Sequence, residues 1–335
     1  MMRFNNKRVL VTGGAGFVGS RLTDRIVEEG GKVIVLDDLF TGRKENIRHL
    51  ADVEFVHGSV TDLKLVTKLV KRVDLAFNLA VRNIIVSTKS PHLDFQVNTG
   101  GTFNVLHAAK SSDIERVIYT SSVSVYGNPM YLPINENDHL YTLNPYAASK
   151  QSGENYCNAF YETYGVSTTI VRFSNVYGIN QLPQNPYCGV ISKFFSRIMD
   201  GKPVLIHGDG LQTRDFTYVD DAVEATIRAA LSPKAEGQTF NVGTGFETSI
   251  NSLAEIISSI VGSNGKPVYI DKRDIDNIRR RVVNIEKIRR TLKWMPMVTL
   301  QKGLEQTFEW LSEFKPLKMR KTDTVHVAMP NSLTA

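Results

Sequence analysis

Cysteine is scarce in this chain of 335 residues: there are two, Cys157 and Cys188. Two isolated thiols make neither a disulfide framework nor a metal-ligand pattern, which excludes stapled secreted scaffolds and zinc modules. The reducing cytoplasm is the expected compartment. Long hydrophobic runs are missing as well. No stretch approaches the ~18–20 apolar residues of a membrane span. The apolar Val9-Leu10-Val11 meets glycines at once, so no secretory signal is expected there. The net charge of +6 lies entirely in Asp271–Lys302, which holds ten basic and four acidic residues. Only Tyr269 and Trp294 are aromatic neighbours of that cluster, so it fits a small anionic ligand better than nucleic acid.

What is present is ordinary globular composition, 42 % hydrophobic and 22 % charged. The length allows a large core and two lobes. Short apolar runs at Arg8–Thr12, Lys32–Leu36, Val53–Val56, Leu75–Leu79, Val117–Thr120 and Ser167–Phe173 predict buried strands. Phe17–Glu29, His92–Lys110 and Tyr146–Tyr164 predict helices. Strands alternating with helices imply α/β architecture, a doubly wound parallel Rossmann sheet that binds ligands at the carboxyl ends of its strands. Prolines 183, 186 and 203 then punctuate shorter elements. The expected division is a dinucleotide-binding domain over 1–178, a smaller α/β substrate lobe over 179–314, and a loose tail over 315–335. Parts of 215–245, including Asp220–Leu231 and Thr239–Val242, are expected to return to the first lobe.

Two motifs carry chemistry. Gly13, Gly16 and Gly19 sit between the first strand and the first helix, which Phe17 and Val18 open. The first glycine makes the tight turn, the second lets backbone approach a pyrophosphate, and the third lets the helix sit on the sheet. Free N–H groups at the helix start then hold the anion. Asp37, followed by Asp38, ends the next strand; a carboxylate there accepts from ribose hydroxyls and repels a 2′-phosphate, favouring NAD over NADP. The second motif is Tyr146-x-x-x-Lys150. On a helix the two share a face, and an ammonium beside a phenol favours the phenolate. A base active near neutrality needs a shift of about three pKa units. The hydroxyls of Ser121–Ser124 stand at a strand's carboxyl end, where a site belongs.

Together these residues resemble the extended short-chain dehydrogenase/reductases, specifically the NAD-dependent sugar-nucleotide epimerase/dehydratases. The resemblance runs from about Lys7 to Leu311 and includes Asn78-Leu79-Ala80, Asn98, Arg172–Gly178, Gly208–Phe216 and Tyr218–Asp221. It implies NAD as cofactor, with Leu79, Ala80 and Asn98 completing its site, and Ser59 and Val60 beside the adenine. The family often has an acid at the position of Ser59 and a histidine at that of Asn78. It implies Tyr146 as acid/base, Lys150 on the nicotinamide ribose, and Ser122, with Ser124, at the sugar. Asn175 and Arg214 would meet the substrate diphosphate. Arg273 and Asp276 have the spacing of a family arginine and ribose-binding acid, with Arg279 as the competing arginine. No metal is implied. A homodimer is expected, formed through the helices around His92–Lys110 and Tyr146–Tyr164.

Members share a first step, oxidation of a sugar C4 hydroxyl to a ketone. Related dehydratases and decarboxylases then use acids after the hydroxyl residue, where this chain has Val123 and Ser124. Neither side chain does acid/base work near neutrality. The expected reaction is therefore 4-epimerisation of a nucleotide-diphosphate sugar, by resemblance a UDP-sugar, with NAD regenerated each cycle. Glucose, an N-acetylhexosamine and a uronic acid all remain open. Gly178–Val190 lacks an arginine for a uronate, and a small Val282 leaves room for an N-acetyl group. The alternatives are a 4,6-dehydratase or decarboxylase and, in another class, a non-catalytic NAD-binding regulator.

Overall fold

The computed structural model describes residues 2–47, 51–185, 187–273 and 275–313. The expected tail over 315–335 lies outside the described residues. Strands β1 (Arg8–Thr12), β2 (Lys32–Asp37), β3 (Val53–His57), β4 (Leu75–Asn78), β5 (Arg116–Ser122), β6 (Thr168–Phe173) and β7 (Gln238–Val242) form a seven-stranded sheet. Its order is β7-β6-β5-β4-β1-β2-β3, and every pairing is parallel. The order reverses between β1 and β4, which is the switch point where such sheets open a crevice.

Strand alternation divides two cores. Val9 and Val11 of β1 pack with Leu22 and Ile26 of the Phe17–Glu28 helix and with Ala222 and Ile227 of the Val219–Leu231 helix. Leu10, between them, joins Val66, Leu69, Val105, Leu106 and Phe160 on the other face. Helices on both faces are why the strands read as continuous apolar runs rather than as alternating ones. A helix at Leu63–Val70, too short to stand out by periodicity, is set by the Asp62 carboxylate accepting from Leu65 N.

The Val219–Leu231 helix and β7 belong to the large sheet: β7 pairs with β6, and Asp220 bonds Arg21 of the first helix at 2.9 Å. The remainder after 178 builds smaller pieces. Leu205–His207 pairs with Val268–Ile270, and the Val190–Met199, Ile250–Val261 and Leu300–Glu313 helices pack nearby. Phe194, Phe195, Leu253, Ile257 and Leu304 join the same apolar cluster as Val9 and Val11, so one core runs from the sheet into these pieces.

The expected single helix His92–Lys110 has a different middle. Pro91–Asp94 and Gly101–Lys110 are α-helical, but Phe95–Gly100 is a π-helical stretch. Asp94 and Asn98 lie together inside the protein at this stretch. Asp94 accepts from Ser87, Asn98 and Ser149, while Asn98 bonds both backbone groups of Arg82. Such stretches recur where function constrains a helix. Local apolar spacing carries no sign of this buried polar exchange.

Candidate active site

The glycine turn has the geometry of an anion cradle. Gly13 has φ +69°, and a Cβ there would lie 2.9 Å from Ala80 N in the loop after β4. A Cβ on Gly19 would lie 2.1 Å from Gly13 O, so the helix reaches the turn only without a side chain. Gly16 is the helix N-cap and has no side-chain cap, which leaves the first N–H groups, including those of Phe17 and Val18, for a ligand. Asp37 ends β2 beside this turn, accepting from Ala15 N at 2.9 Å and Leu39 N at 2.8 Å. Burial raises its carboxyl above the ordinary value, and those two N–H groups oppose the rise. A dinucleotide fits: the glycine cradle, the uncapped helix start and the Asp37 carboxylate converge at the switch point.

The other expected cofactor residues frame the cleft in different ways. Leu79 and Val60 are buried, Ala80 lies against Gly13, and Ser59 holds its own turn by accepting from Thr61. Asn98 is 1 % exposed and spends its amide on the Arg82 backbone and on Asp94. It therefore shapes the loop after β4. Asn78, in the place of the family histidine, ties Thr12 to Thr102 inside the sheet. Asp38 accepts from Phe40 N and, at 2.6 Å, from Arg82 Nη2.

Tyr146, Lys150 and Ser122 converge at the carboxyl end of β5. Asn144 caps the Pro145–Tyr164 helix by accepting from Ala147 N, Pro145 starts it, and Gly165 ends it at φ +68°. Tyr146 and Lys150 are thus fixed in the first turns. Lys150 is 3 % exposed and donates to Thr120 O at 2.7 Å. Its Nζ is 6.0 Å from the Tyr146 ring centre. Burial lowers Lys150 to about 8, while Asp94 and Glu154 pull it back up. Burial pushes Tyr146 up to about 12; a hydrogen bond with Ser122 and the charge of Arg281 favour the phenolate, and Asp94 and Asp276 oppose it. The groups that favour the phenolate, against burial and Asp94, are therefore Ser122 and then Arg281, whereas spacing alone points to Lys150.

Behind this trio lies a buried ion pair. Glu154 accepts from Arg172 Nε at 2.8 Å and from its Nη2 at 2.6 Å, and it also accepts from Ser121 Oγ. Arg172 Nη1 continues to Tyr126 Oη, which donates to Asn241 on β7. The catalytic helix is thereby locked to β5, β6 and β7.

A second polar cluster gathers guanidinium groups around one acid, Asp276. Arg214 donates to the carbonyls of Thr213, Ile278 and Asp276, and its Nη2 lies 3.6 Å from the Asp276 carboxylate. Arg281 Nη2 donates to Asp276 Oδ1 at 3.0 Å. Burial alone would raise Asp276, but Arg281 and Arg214 hold it below its ordinary value. Arg273 sits at the exposed rim, with its charge also acting on Asp276. Arg279 departs from the expectation: it is exposed and forks onto Asp209 at 2.7 and 2.9 Å, outside this cluster. The reason is register. In the extended run Arg279-Arg280-Arg281 the first two pair outward with Asp209 and Glu247, and the third is buried. Arg281 escapes a reading by spacing; its clue is its place directly before the apolar Val282-Val283. Asn175 is half-buried on the short strand Asn175–Tyr177, and Ser124 is half-buried beside Ser122. Among the described residues no cluster of side chains suits a metal ion.

A doubly wound sheet, a glycine cradle and a Ser–Tyr–Lys constellation define a dinucleotide-dependent enzyme that moves protons and hydride at an alcohol carbon. Residues 9–243 match the model of the NAD dependent epimerase/dehydratase family, and the chain belongs to that family. It is 38 % identical to UDP-glucose 4-epimerase of Mycolicibacterium smegmatis, over 90 % of this chain and 98 % of that protein. It is 33 % identical to UDP-N-acetyl-alpha-D-glucosaminuronate decarboxylase of Bacillus cytotoxicus, over 92 % of this chain and 99 % of the other. The crystal structure of UDP-glucose 4-epimerase with UDP-glucose from Thermotoga maritima superposes with a TM-score of 0.87 at 33 % identity, covering 91 % of this chain and 98 % of that one. NAD is the cofactor of this family.

Proposed function

We propose that the enzyme interconverts the C4 epimers of a UDP-sugar through a transient 4-keto sugar. NAD, when bound, supplies the acceptor and donor of hydride. Tyr146 takes the C4 hydroxyl proton and later returns it to the other epimer. Ser122 orients that hydroxyl, and Lys150 holds the nicotinamide ribose. Asn175, Arg214 and Arg273 take the substrate diphosphate, with Asp276 on the ribose.

The observation that carries this choice over dehydration or decarboxylation is the state of the acids near Tyr146. Val123 is buried with Val125, Tyr126, Ile134 and Val283, so no carboxylate stands there. Asp94 is 2 % exposed and enclosed by Ser87, Asn98 and Ser149. Asp276 is held ionised by its arginines. None of these is placed to give a proton to the hydroxyl that dehydration expels or to the C5 enolate that decarboxylation leaves. Hydride return to C4 is then the outcome open to the keto sugar. The charges favour a neutral sugar: Arg214, Arg273 and Arg281 are balanced by Asp276 and a diphosphate.

A UDP-sugar deuterated at C4 tests this. Both epimers should keep the label at C4, with no lasting ketone. Label at C6, or released carbon dioxide, would overturn it.

The active form is a homodimer. Phe95, Phe103, Tyr156 and Tyr164 are exposed on the neighbouring helices that end at Lys110 and Tyr164, and Phe103 packs edge-on against Tyr156. Aromatic rings clustered on one face are a contact surface. Phe103→Glu should shift the mass in solution from twice 37.5 kDa to one chain, measured by light scattering. An unchanged mass would place the interface elsewhere. Among the described residues no helix is long and apolar enough to cross a membrane.

A further inference from the structure

Asp94 is a buried carboxylate with no task in the proton transfers assigned above. It is 2 % exposed and ends the Pro91–Asp94 helix, where the π-helical stretch begins. Its Oδ1 collects donors from three segments: Ser87 of the Ile84–Lys89 helix, Asn98 of the π-helical stretch and Ser149 of the Pro145–Tyr164 helix. Ser149 is held from both sides. It donates to Asp94 at 3.1 Å and accepts from Asn98 Nδ2 at 3.1 Å. It directly precedes Lys150 and lies on the same first turns as Tyr146. The cluster therefore ties the catalytic helix to the neighbouring helices at the point where it carries its reactive side chains.

Three donors suit an ionised carboxylate. Burial raises Asp94, while the bonds from Ser87, Ser149 and Asn98 and the charge of Lys150 oppose the rise. Among the described residues no ammonium or guanidinium bonds Asp94 directly, and a buried charge is costly without a counter-charge. Lys150 has the complementary need. It is 3 % exposed, donates to the uncharged Thr120 O, and has the Tyr119 ring centre 5.0 Å from its Nζ. On its own helix stand Glu154, already forked by Arg172, and Cys157, whose thiol burial pushes up. Burial draws Lys150 down to about 8, and Asp94 is the foremost group opposing that, ahead of Glu154. We infer that Asp94 is a positioning residue of the reaction: through Ser149 it fixes the first turns of the catalytic helix, and its charge keeps Lys150 an ammonium. The same charge disfavours the Tyr146 phenolate, so its loss moves both groups to lower pH. The role in turnover depends on Tyr146 and Lys150 serving the reaction as proposed above; the titration of Lys150 does not.

Lysine isotopically labelled at Cε is incorporated into the full-length protein, and Lys150 is followed by NMR against pH with no sugar present; Lys150→Met identifies its signal. Wild-type Lys150 should titrate near 8. Asp94→Asn keeps an acceptor oxygen for the three donors but loses the charge, and Lys150 should then titrate at least about one pH unit lower. Asp94→Glu should restore the wild-type titration, and Asp94→Ser carries the test if the asparagine variant does not fold. With a UDP-sugar, Asp94→Asn should move both limbs of the kcat profile to lower pH, the rising limb with Tyr146 and the falling limb with Lys150. Ser149→Ala keeps the carboxylate and should lower kcat with both limbs in place. An unmoved Lys150 in folded Asp94→Asn or Asp94→Ser would overturn the inference. So would a lowered kcat in Asp94→Asn with both limbs unmoved, which would reduce Asp94 to packing. A shifted Lys150 in a protein that converts no UDP-sugar would support the coupling of Asp94 to Lys150 and place the fault with the epimerase reading.

Discussion

Tyr146→Phe should lower kcat by about 10²- to 10⁴-fold, the range that a positioned acid/base supplies. At 1.36 kcal/mol per tenfold, that is roughly 3–5 kcal/mol of transition-state stabilisation. The fold and the NAD content should not change. The ring stays, and the lost hydroxyl meets Ser122 at the edge of the site rather than a partner in the core. The pH profile should separate this role from a packing role. The phenol is pushed up to about 12 by burial and pulled down by Ser122 and Arg281. Wild-type activity should rise with pH as the phenolate fraction grows. The phenylalanine variant should lose that limb and keep only a low, flat rate. A variant that retained the limb would assign the proton transfer to another group. Single-turnover rates with bound NAD give the cleanest reading, because product release then contributes nothing.

Glu154→Ala should be the most destabilising of the variants considered. Glu154 and Arg172 have side-chain exposures of 3 % and 6 %. Removing one partner leaves a buried, unpaired charge, which costs about 3–5 kcal/mol. Against a typical stability of ~5–15 kcal/mol that is a large fraction. Ser121 would also lose its acceptor, and Lys150 one of the charges holding it protonated. Urea denaturation should show a lower midpoint with an unchanged slope. Replacing both partners, as Glu154→Leu with Arg172→Met, should recover much of the loss, since apolar pairs substitute well for buried ion pairs. Recovery of stability without recovery of kcat would show that the pair also positions the catalytic helix. Equal stability of Glu154→Ala and wild type would show that the pair contributes nothing.

The cofactor half of the site is legible in the sequence because it is local. Gly13, Gly16 and Gly19 fall within one turn and one helix start, and Asp37 ends the adjoining strand. Tyr146 and Lys150 are likewise fixed by a single helix whose caps, Asn144 and Gly165, lie in the sequence beside it. The substrate half is assembled from distant segments. Arg214 meets Asp276 and Arg281 across more than sixty residues. Which of three consecutive arginines turns inward depends on how Val283 pairs with Ile134, a bridge that local pattern does not reveal. Arg279, the competing arginine of the sequence reading, faces outward to Asp209 for that reason. The Arg82–Asp38 bond and the Glu154–Arg172 pair also join residues far apart in the chain. The π-helical stretch escapes because it is selected by buried polar bonds to Asp94 and Asn98, not by apolar period.

The most direct measurement is proton NMR of UDP-glucose, UDP-N-acetylglucosamine and UDP-glucuronate incubated with the purified protein and no added cofactor, following the anomeric and H4 signals. The expected result is an equilibrium mixture of C4 epimers from a neutral UDP-sugar, reached from either side, with no 4-keto product. Accumulation of a 4-keto-6-deoxy sugar, or of a pentose from the uronate, would contradict 4-epimerisation. Turnover confined to the uronate would contradict the charge balance assigned to Arg214, Arg273 and Arg281.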